Sequence, residues 1–139
     1  MKIENLEIGR IYTNNELMEI FECSNQGGIR FVTKKNHVVL ISNYTSDKIE
    51  NPYLDTWVNE TLHYTGKGKK GDQVLKFENE RLLKSKNRNT KIYYFEAFKK
   101  GEYTYFGPMV LASIYVEEQI QRDIDGNNRR VYIFKLKKK

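Results

Sequence analysis

A short stretch rich in glycine and lysine decides how this chain is organised: Leu62-His63-Tyr64-Thr65-Gly66-Lys67-Gly68-Lys69-Lys70-Gly71-Asp72-Gln73. The first four residues are typical of a strand, and Asp72 is a suitable N-cap for an amphipathic helix that we expect to reach about Ser85. A glycine turn followed by a helix N-terminus presents backbone N–H groups to an anion. We therefore predict a phosphate-contacting loop at Gly66, Gly68 and Gly71, with a purely structural glycine turn as the alternative.

The positive charge of the chain is concentrated around this loop. Residues 67–91 hold nine Lys or Arg against three Asp or Glu, a net charge of +6. The whole chain also carries +6, so the other 114 residues sum to zero. A local basic patch of this kind favours a polyanion, above all nucleic acid, as the partner.

Length and composition bound the class of protein. The chain has 139 residues, which suits one domain over 1–139, and Lys137–Lys139 resemble a solvated basic tail. A single cysteine, Cys23, allows no internal disulfide and fits a reducing cytoplasm. No apolar run is long enough to span a membrane, and no helix pairs a basic face with bulky apolar residues, so we expect no membrane partner.

Apolar periodicity and turn residues predict an α+β domain. We expect a helix at Asn14–Phe21 with Asn14 or Asn15 as its N-cap, and the second helix at Asp72–Ser85 burying Val74, Leu75, Leu82 and Leu83. The expected strands are Arg30–Thr33, Val38–Ser42, Lys91–Phe98, Glu102–Phe106, Met109–Val116 and Arg129–Leu136. Gly107-Pro108 should break or bulge the sheet. We therefore expect two helices that pack against a curved, mostly antiparallel sheet or a partly closed β-barrel.

The sequence offers few combinations of residues that could catalyse a reaction. Gly66-x-Gly68-x-x-Gly71 formally matches a dinucleotide fingerprint, but the chain lacks the alternating strands and helices of that fold. His37 and His63 fall in no recognised nuclease, hydrolase or metal-ligand spacing. We therefore expect no catalytic residues, no metal and no cofactor.

Aromatic residues before the glycine loop suggest a base-binding slot. Tyr53 lies in an irregular segment, residues 43–59, that also holds Asp55 and Trp57, and Tyr64 lies 11 residues further on, at the strand tip before the glycines. Two aromatic faces can sandwich a planar base, and a carboxylate can accept a hydrogen bond from cytosine N4. The alternative is that Tyr53 and Trp57 are core or loop-packing residues.

At these positions the chain resembles the SRA (YDG) domain of modified-cytosine-dependent HNH restriction endonucleases. The matching pieces follow one another over nearly the whole chain: Gly9-Arg10-Ile11-Tyr12, Gln26-Gly27-Gly28-Ile29, Leu62-His63-Tyr64-Thr65-Gly66-x-Gly68-x-x-Gly71-Asp72-Gln73, Asn79-x-x-Leu82-Leu83-x-Ser85, Tyr94-Phe95-Glu96, Tyr103-x-Tyr105-x-Gly107 and Arg129-Arg130-Val131-Tyr132-Ile133-Phe134.

The resemblance implies a PUA-like β-barrel that binds duplex DNA and flips a modified cytosine into a pocket. The base pocket would comprise Tyr53, Asp55, Trp57, Tyr64 and Thr65. Basic side chains would hold the flanking phosphates, which gives affinity without sequence discrimination: Arg30, Lys34, Lys35, Lys67, Lys69, Lys70 and Arg81. The expected turn residues are Gly27, Gly28, Gly66, Gly68, Gly71 and Asp72. An HNH-type nuclease, attached or associated, would be the partner, because the chain carries no HNH signature.

Three other functions stay open at the level of sequence. An RNA- or single-strand-binding module would use the same aromatics on an unpaired base. A nucleotide-modifying enzyme would need a carboxylate or histidine pair in the slot, which the sequence does not supply. A protein-interaction domain would show no salt-sensitive binding to DNA.

Overall fold

The computed structural model describes residues 1–45 and 52–139. In these residues the chain forms eleven strands and helices, joined by turns that include short 3-10 segments at Ile3–Asn5 and Thr33–Lys35. They are β1 Ile11–Tyr12, α1 Asn14–Phe21, β2 Ile29–Val32, β3 His37–Asn43, β4 Thr56–Val58, β5 Thr61–Thr65, α2 Glu78–Leu83, β6 Lys91–Lys99, β7 Glu102–Leu111, β8 Glu117–Arg122 and β9 Asn128–Lys138.

The predicted α+β class is confirmed. The strands of the described residues belong to one nine-stranded sheet that is not closed, and two α-helices accompany it. The β1–β7, β2–β3, β4–β5, β5–β9, β6–β7 and β8–β9 pairings are antiparallel, and β3 and β6 run parallel. No helix in the described part of the chain is long and apolar enough to cross a membrane.

Contacts within the chain divide it into two compact units. The first unit comprises residues 1–45, 90–109 and 139. Among the described residues, the second unit comprises 52–89 and 110–138. In the first unit β2, β3, β6 and β7 are neighbours in that order, and β1 pairs with β7. Its core is aromatic and aliphatic: Tyr12, Leu17, Phe21, Cys23, Val39, Ile41, Phe95 and Tyr105.

Helix α1 has the predicted bounds but a different N-cap. Thr13, not Asn14 or Asn15, adopts the extended cap conformation, and its hydroxyl accepts from the Glu16 N–H at 3.2 Å. The Glu16 carboxylate accepts in return from the Thr13 N–H at 2.9 Å, which completes a capping box. Leu17 and Phe21 are fully buried and belong to the core of the first unit.

Removing this cap should weaken the first unit. We expect Thr13→Ala to lower the free energy of unfolding by about 1 kcal/mol, because the Glu16 N–H loses its acceptor. Urea titration followed by circular dichroism measures this loss. Asn15→Ala, at an exposed position predicted from the sequence as a possible cap, is the control and should change stability by less than about 0.5 kcal/mol. Equal losses in the two variants would contradict the Thr13 cap.

Strand β7 passes through Gly107-Pro108 without breaking. The two strands predicted at Glu102–Phe106 and Met109–Val116 are one strand, Glu102–Leu111. Gly107 adopts φ +102°, and the pairing of β6 with β7 shifts register between Tyr94 and Phe95. A glycine at positive φ accommodates the extra residue of such a bulge, so the strand bends and continues.

The second helix is much shorter than predicted. It covers Glu78–Leu83 rather than Asp72–Ser85. Asp72 is not an N-cap, because its Oδ1 accepts from the Arg130 N–H at 2.8 Å instead. Phe77, just before the helix, has φ +55° and ψ −125°, which no helix contains. As a result Val74, expected to be buried, is 51% exposed, while Leu82 is fully buried as predicted.

The second unit is built on β9. Strand β9 pairs with both β5 and β8, and β4 pairs with β5. Its buried apolar side chains include Leu62, Leu82, Val131 and Leu136. The strand continues to Lys138, and Lys137 pairs with Thr61, where the sequence suggested a basic tail. This unit contains the whole glycine loop.

Candidate nucleic-acid interface

The glycine loop, residues 66–73, is held from below by the side chain of Gln73. Gln73 is 2% exposed, and its Nε2 donates to the carbonyl oxygens of Gly66 at 2.6 Å and Gly68 at 3.2 Å. Its Oε1 accepts from the Tyr132 N–H at 2.9 Å. One amide thus ties both halves of the loop to strand β9.

The small size of Gly66 is needed for this arrangement. A Cβ added at Gly66 would lie 2.9 Å from both Asn79 Oδ1 and Gln73 Oε1. Such distances are shorter than van der Waals contact, so any larger residue would displace the two side chains that support the loop. Glycine at this position therefore permits a close approach of side chains to the backbone.

Three N–H groups of the loop are already satisfied within the protein. The Lys67 N–H donates to Asn79 Oδ1 at 2.7 Å, and the Gly68 N–H donates to the Tyr53 hydroxyl at 3.1 Å. The Gly71 N–H donates to Asp123 Oδ2 at 3.1 Å. These three groups bind side chains, and the helix N-terminus predicted at Asp72 is wrong, because α2 begins only at Glu78. The phosphate-contacting role of the loop stays a prediction.

Asp123 organises the neighbouring turn as well as the loop. Its Oδ1 accepts from the N–H groups of Asp125 at 2.9 Å and Asn127 at 3.0 Å. Together with the Gly71 N–H, these donors favour the charged carboxylate and hold its pKa below the usual range. The 123–127 turn and the glycine loop thus share one anionic anchor.

Arg129 lies beneath the loop as a buried cation. It is 3% exposed, and its Nη1 donates to the carbonyl oxygens of Gly68 at 2.6 Å and Gly71 at 3.0 Å. Within the described residues its Nε and Nη2 have no hydrogen-bond partner. Burial lowers the pKa of the guanidinium, while Tyr53 and Asp123 oppose that shift. Arg129 therefore places a buried positive charge against the backbone of the loop that carries the lysines.

The structure brings three of the predicted base-pocket residues together. Asp55 Oδ1 accepts from the Thr65 N–H at 2.7 Å, and the Thr65 hydroxyl accepts from Gln121 Nε2 at 3.2 Å. Tyr53 reaches the same loop through Gly68, and burial raises the pKa of its phenol. Residues 53, 55 and 65 therefore converge where β5 enters the loop.

The other two predicted pocket residues differ in exposure. Tyr64 is 3% exposed and points to the same face of β5 as the fully buried Leu62. Trp57 is partly exposed in β4 and pairs with Leu62. The roles of Tyr64 and Trp57 toward a base stay predictions.

The lysines of the loop are exposed, and they differ in their ion pairs. Lys67 Nζ lies 2.6 Å from Glu78 Oε2, and Lys70 Nζ lies 3.3 Å from Asp125 Oδ2. Lys69 is exposed and takes part in no ion pair among the described residues. Arg81, predicted as a further phosphate contact, is partly exposed on α2.

In the first unit the predicted DNA contacts have different environments. Arg30 is 4% exposed, and its guanidinium donates to the carbonyl oxygens of Gly27 at 2.8 Å and Ser24 at 3.1 Å and to Asn14 Oδ1 at 2.7 Å. These bonds make Arg30 a support of the Gly27-Gly28 turn, where the sequence predicted a phosphate contact. The other two predicted contacts of this unit, Lys34 and Lys35, are exposed on the 3-10 segment Thr33–Lys35, and Lys35 Nζ lies 3.4 Å from Glu22 Oε2.

Sequence reasoning assigned no role to the residues that hold the site. Gln73 and Asn79 were noted only as part of a motif, and Gln121, Asp123 and Arg129 were not singled out for the site. Their partners lie far away along the chain, for example 61 residues between Arg129 and Gly68. The one available signal was the fixed order Gly71-Asp72-Gln73 and Asn79, which places polar groups directly after a glycine turn.

Loss of the Gln73 amide should destabilise the second unit. In Gln73→Ala the buried Gly66 carbonyl and Tyr132 N–H lose their partners, which costs about 1–3 kcal/mol for each unsatisfied group. We expect the free energy of unfolding in urea to fall by about 3 kcal/mol. Lys69→Ala, on the exposed side of the same loop, is the control and should cost less than about 0.5 kcal/mol. A loss below about 1 kcal/mol in Gln73→Ala would contradict the anchoring role.

The fold, together with a glycine loop supported by buried polar side chains, is that of an SRA-type domain. Comparison with protein families gives the same class. The family described as "ScoMcrA-like, SRA domain" matches residues 8–138. The chain therefore belongs to this family, which confirms the resemblance seen in the sequence. Comparison with curated proteins gives no match.

Solved structures of the same fold include the SRA domains of ScoMcrA and of SUVH5. The sulfur-binding and SRA domains of ScoMcrA, complexed with phosphorothioated DNA, match with a TM-score of 0.74 and 18% identity over 96% of this chain. The SUVH5 SRA domain with hemi-methylated CG DNA matches with a TM-score of 0.69 and 23% identity, over 97% of this chain and 90% of its own. This chain spans 40% of the first structure and 24% of the ScoMcrA restriction endonuclease, which matches over 95% of this chain with a TM-score of 0.72 and 18% identity.

Proposed function

We propose that this chain is a non-catalytic module that binds duplex DNA containing a modified cytosine and turns that base out of the helix. Its family membership supports this proposal, as do solved relatives described in complex with methylated or phosphorothioated DNA. In the proposal the module directs a restriction system to modified DNA, and an HNH-type nuclease is attached to it or associated with it. The described restriction endonuclease of the same fold supports that context.

One observation carries the proposal: polar and aromatic groups converge at the entrance of the glycine loop. Asp55 Oδ1 lies 2.7 Å from the Thr65 nitrogen, and the Tyr53 hydroxyl lies 3.1 Å from the Gly68 nitrogen. A carboxylate held by a backbone N–H keeps a fixed orientation, which recognition of a base edge requires. An aromatic ring beside it offers a face on which a base can stack.

Extrusion of a base has a free-energy cost that contacts in the site must offset. Extruding a base costs a few kcal/mol, and stacking on an aromatic ring returns about 1–3 kcal/mol per base. A hydrogen bond from cytosine N4 to the Asp55 carboxylate adds discrimination against the other bases. In this proposal the identity of the base is read by Asp55, Tyr53, Thr65 and the neighbouring Tyr64 and Trp57.

The lysines supply affinity that is independent of sequence. Lys69 is available to a phosphate directly, while Lys67 and Lys70 would exchange Glu78 and Asp125 for phosphate oxygens. Exposed ion pairs contribute only about 0–1 kcal/mol, so this exchange meets little resistance. In the proposal Lys67, Lys69 and Lys70 flank the extruded nucleotide.

Matched duplexes should be distinguished by their cytosine modification alone. We expect the dissociation constant for a modified duplex to be about tenfold or more below that for the unmodified duplex, when each is titrated by fluorescence anisotropy at two salt concentrations. An unmodified single strand of the same sequence is the control for the alternative, a single-strand or RNA-binding module, which would bind that strand as tightly as the modified duplex. Equal affinity for all duplexes would reject base recognition.

Two substitutions should separate recognition of the base from contacts to the phosphates. Asp55→Asn keeps an oxygen for the Thr65 N–H but removes the carboxylate that accepts from cytosine N4 of the extruded base, so affinity for the modified duplex should fall about tenfold. Binding to the unmodified duplex, which in the proposal depends on phosphate contacts without extrusion, should stay the same, so the preference for the modified duplex should fall by the same factor. Lys69→Ala should weaken both duplexes alike and lower the slope of log K against log salt by about 0.9, the value for one phosphate. Both are measured by the same anisotropy titrations. Unchanged preference in Asp55→Asn would place the base-reading residues elsewhere.

A further inference from the structure

Phe77 is an exposed aromatic residue that the fold itself does not require. Its side chain is 76% exposed, and within the described residues no large apolar side chain exceeds this value. The residue lies in the second unit, directly before α2. It stands in the basic stretch 67–91 and follows Lys76.

The backbone at Phe77 is strained. Its φ of +55° with ψ of −125° is a combination that glycine adopts easily and that a residue with a Cβ adopts only at a cost. Hydrogen bonds fix this geometry from both sides, since Asn79 Nδ2 donates to the Val74 carbonyl at 3.1 Å and the Arg81 N–H donates to the Phe77 carbonyl at 3.0 Å. In the backbone conformation that these bonds support, the phenyl ring lies in solvent.

The same segment is fastened to the glycine loop. Asn79 binds Lys67 through both its amide atoms, at 2.7 Å to the nitrogen and 3.0 Å to the carbonyl oxygen. Glu78, next to Phe77, pairs with Lys67 Nζ at 2.6 Å. Phe77 therefore precedes two residues, Glu78 and Asn79, that both contact Lys67 of the loop.

We propose that Phe77 is an apolar wedge that enters the base stack of the bound duplex beside the extruded nucleotide. The inference rests on the proposed function and adds a residue that no base-reading contact requires. Removing a base leaves apolar faces of its neighbours exposed, and an inserted aromatic ring covers them and keeps the base from returning. Rigid placement on a strained turn means that little order has to be gained on binding.

Substitution of Phe77 tests the wedge against a matched control. Phe77→Gly and Phe77→Ala should weaken binding to the modified duplex about tenfold or more, the loss of one stacked aromatic. Tyr115→Ala removes an equally exposed aromatic of the same unit, 76% exposed, and should change the affinity less than about twofold. Phe77→Trp should retain affinity, because a larger ring stacks as well.

Extrusion itself can be followed with 2-aminopurine placed next to the modified cytosine. Its emission should rise when the wild-type protein binds, and the rise at saturation should be smaller with Phe77→Gly. Urea titration of Phe77→Gly should give a free energy of unfolding equal to or above that of the wild type, because glycine relieves the strain. A clear loss of stability would mean that the ring supports the fold and would overturn the wedge.

The remaining outcomes separate this inference from the proposed function. If Asp55→Asn loses discrimination while Phe77→Gly binds and extrudes like the wild type, the wedge is wrong and the base-reading proposal survives. If the wild type shows no preference for modified duplex, both proposals fail together. If sedimentation shows a dimer that Phe77→Gly converts to a monomer, the ring belongs to an interface between copies and the wedge is overturned.

Discussion

The candidate site depends on the buried amide of Gln73, which joins the glycine loop to strand β9. Its Nε2 and Oε1 together satisfy two loop carbonyls and one strand N–H, all in a place from which water is largely excluded. A buried polar group is costly unless it is paired, so this network has essentially one arrangement that satisfies it. The loop is consequently a fixed platform rather than a flexible lysine-rich tether.

This platform separates two tasks that the sequence alone placed in one motif. The inner side of the loop is occupied by Tyr53, Asn79, Asp123 and Arg129, which bind its backbone groups. The outer side presents Lys67, Lys69 and Lys70 to solvent. Charge on the outside can attract a polyanion, whereas the ordered inner side determines the geometry of any recognition.

Strain and burial around the loop point to function more directly than the charge does. Arg129 keeps a buried guanidinium with two nitrogens that have no partner in the described residues, and Phe77 keeps a conformation suited to glycine. Each costs stability that a plain structural turn would not spend. Arg129 binds the loop carbonyls, and Phe77 adjoins residues that contact Lys67, so both features belong to the loop where DNA contact is proposed.

The sequence by itself determined the local features of this protein. Helix α1 begins and ends where periodicity predicted, and most strands follow runs of β-branched and aromatic residues, because both depend on neighbours within a few positions. The order of the glycines with Asp72, Gln73 and Asn79 was enough to suggest the SRA family. The tertiary structure decided the rest. Asp72 is not part of the helix predicted for it and accepts instead from the N–H of Arg130, 58 residues away in the sequence. Gln73 accepts from the N–H of Tyr132, 59 residues away. Long-range hydrogen bonds of buried polar groups outweigh local helix propensity, and no single-sequence pattern reveals them.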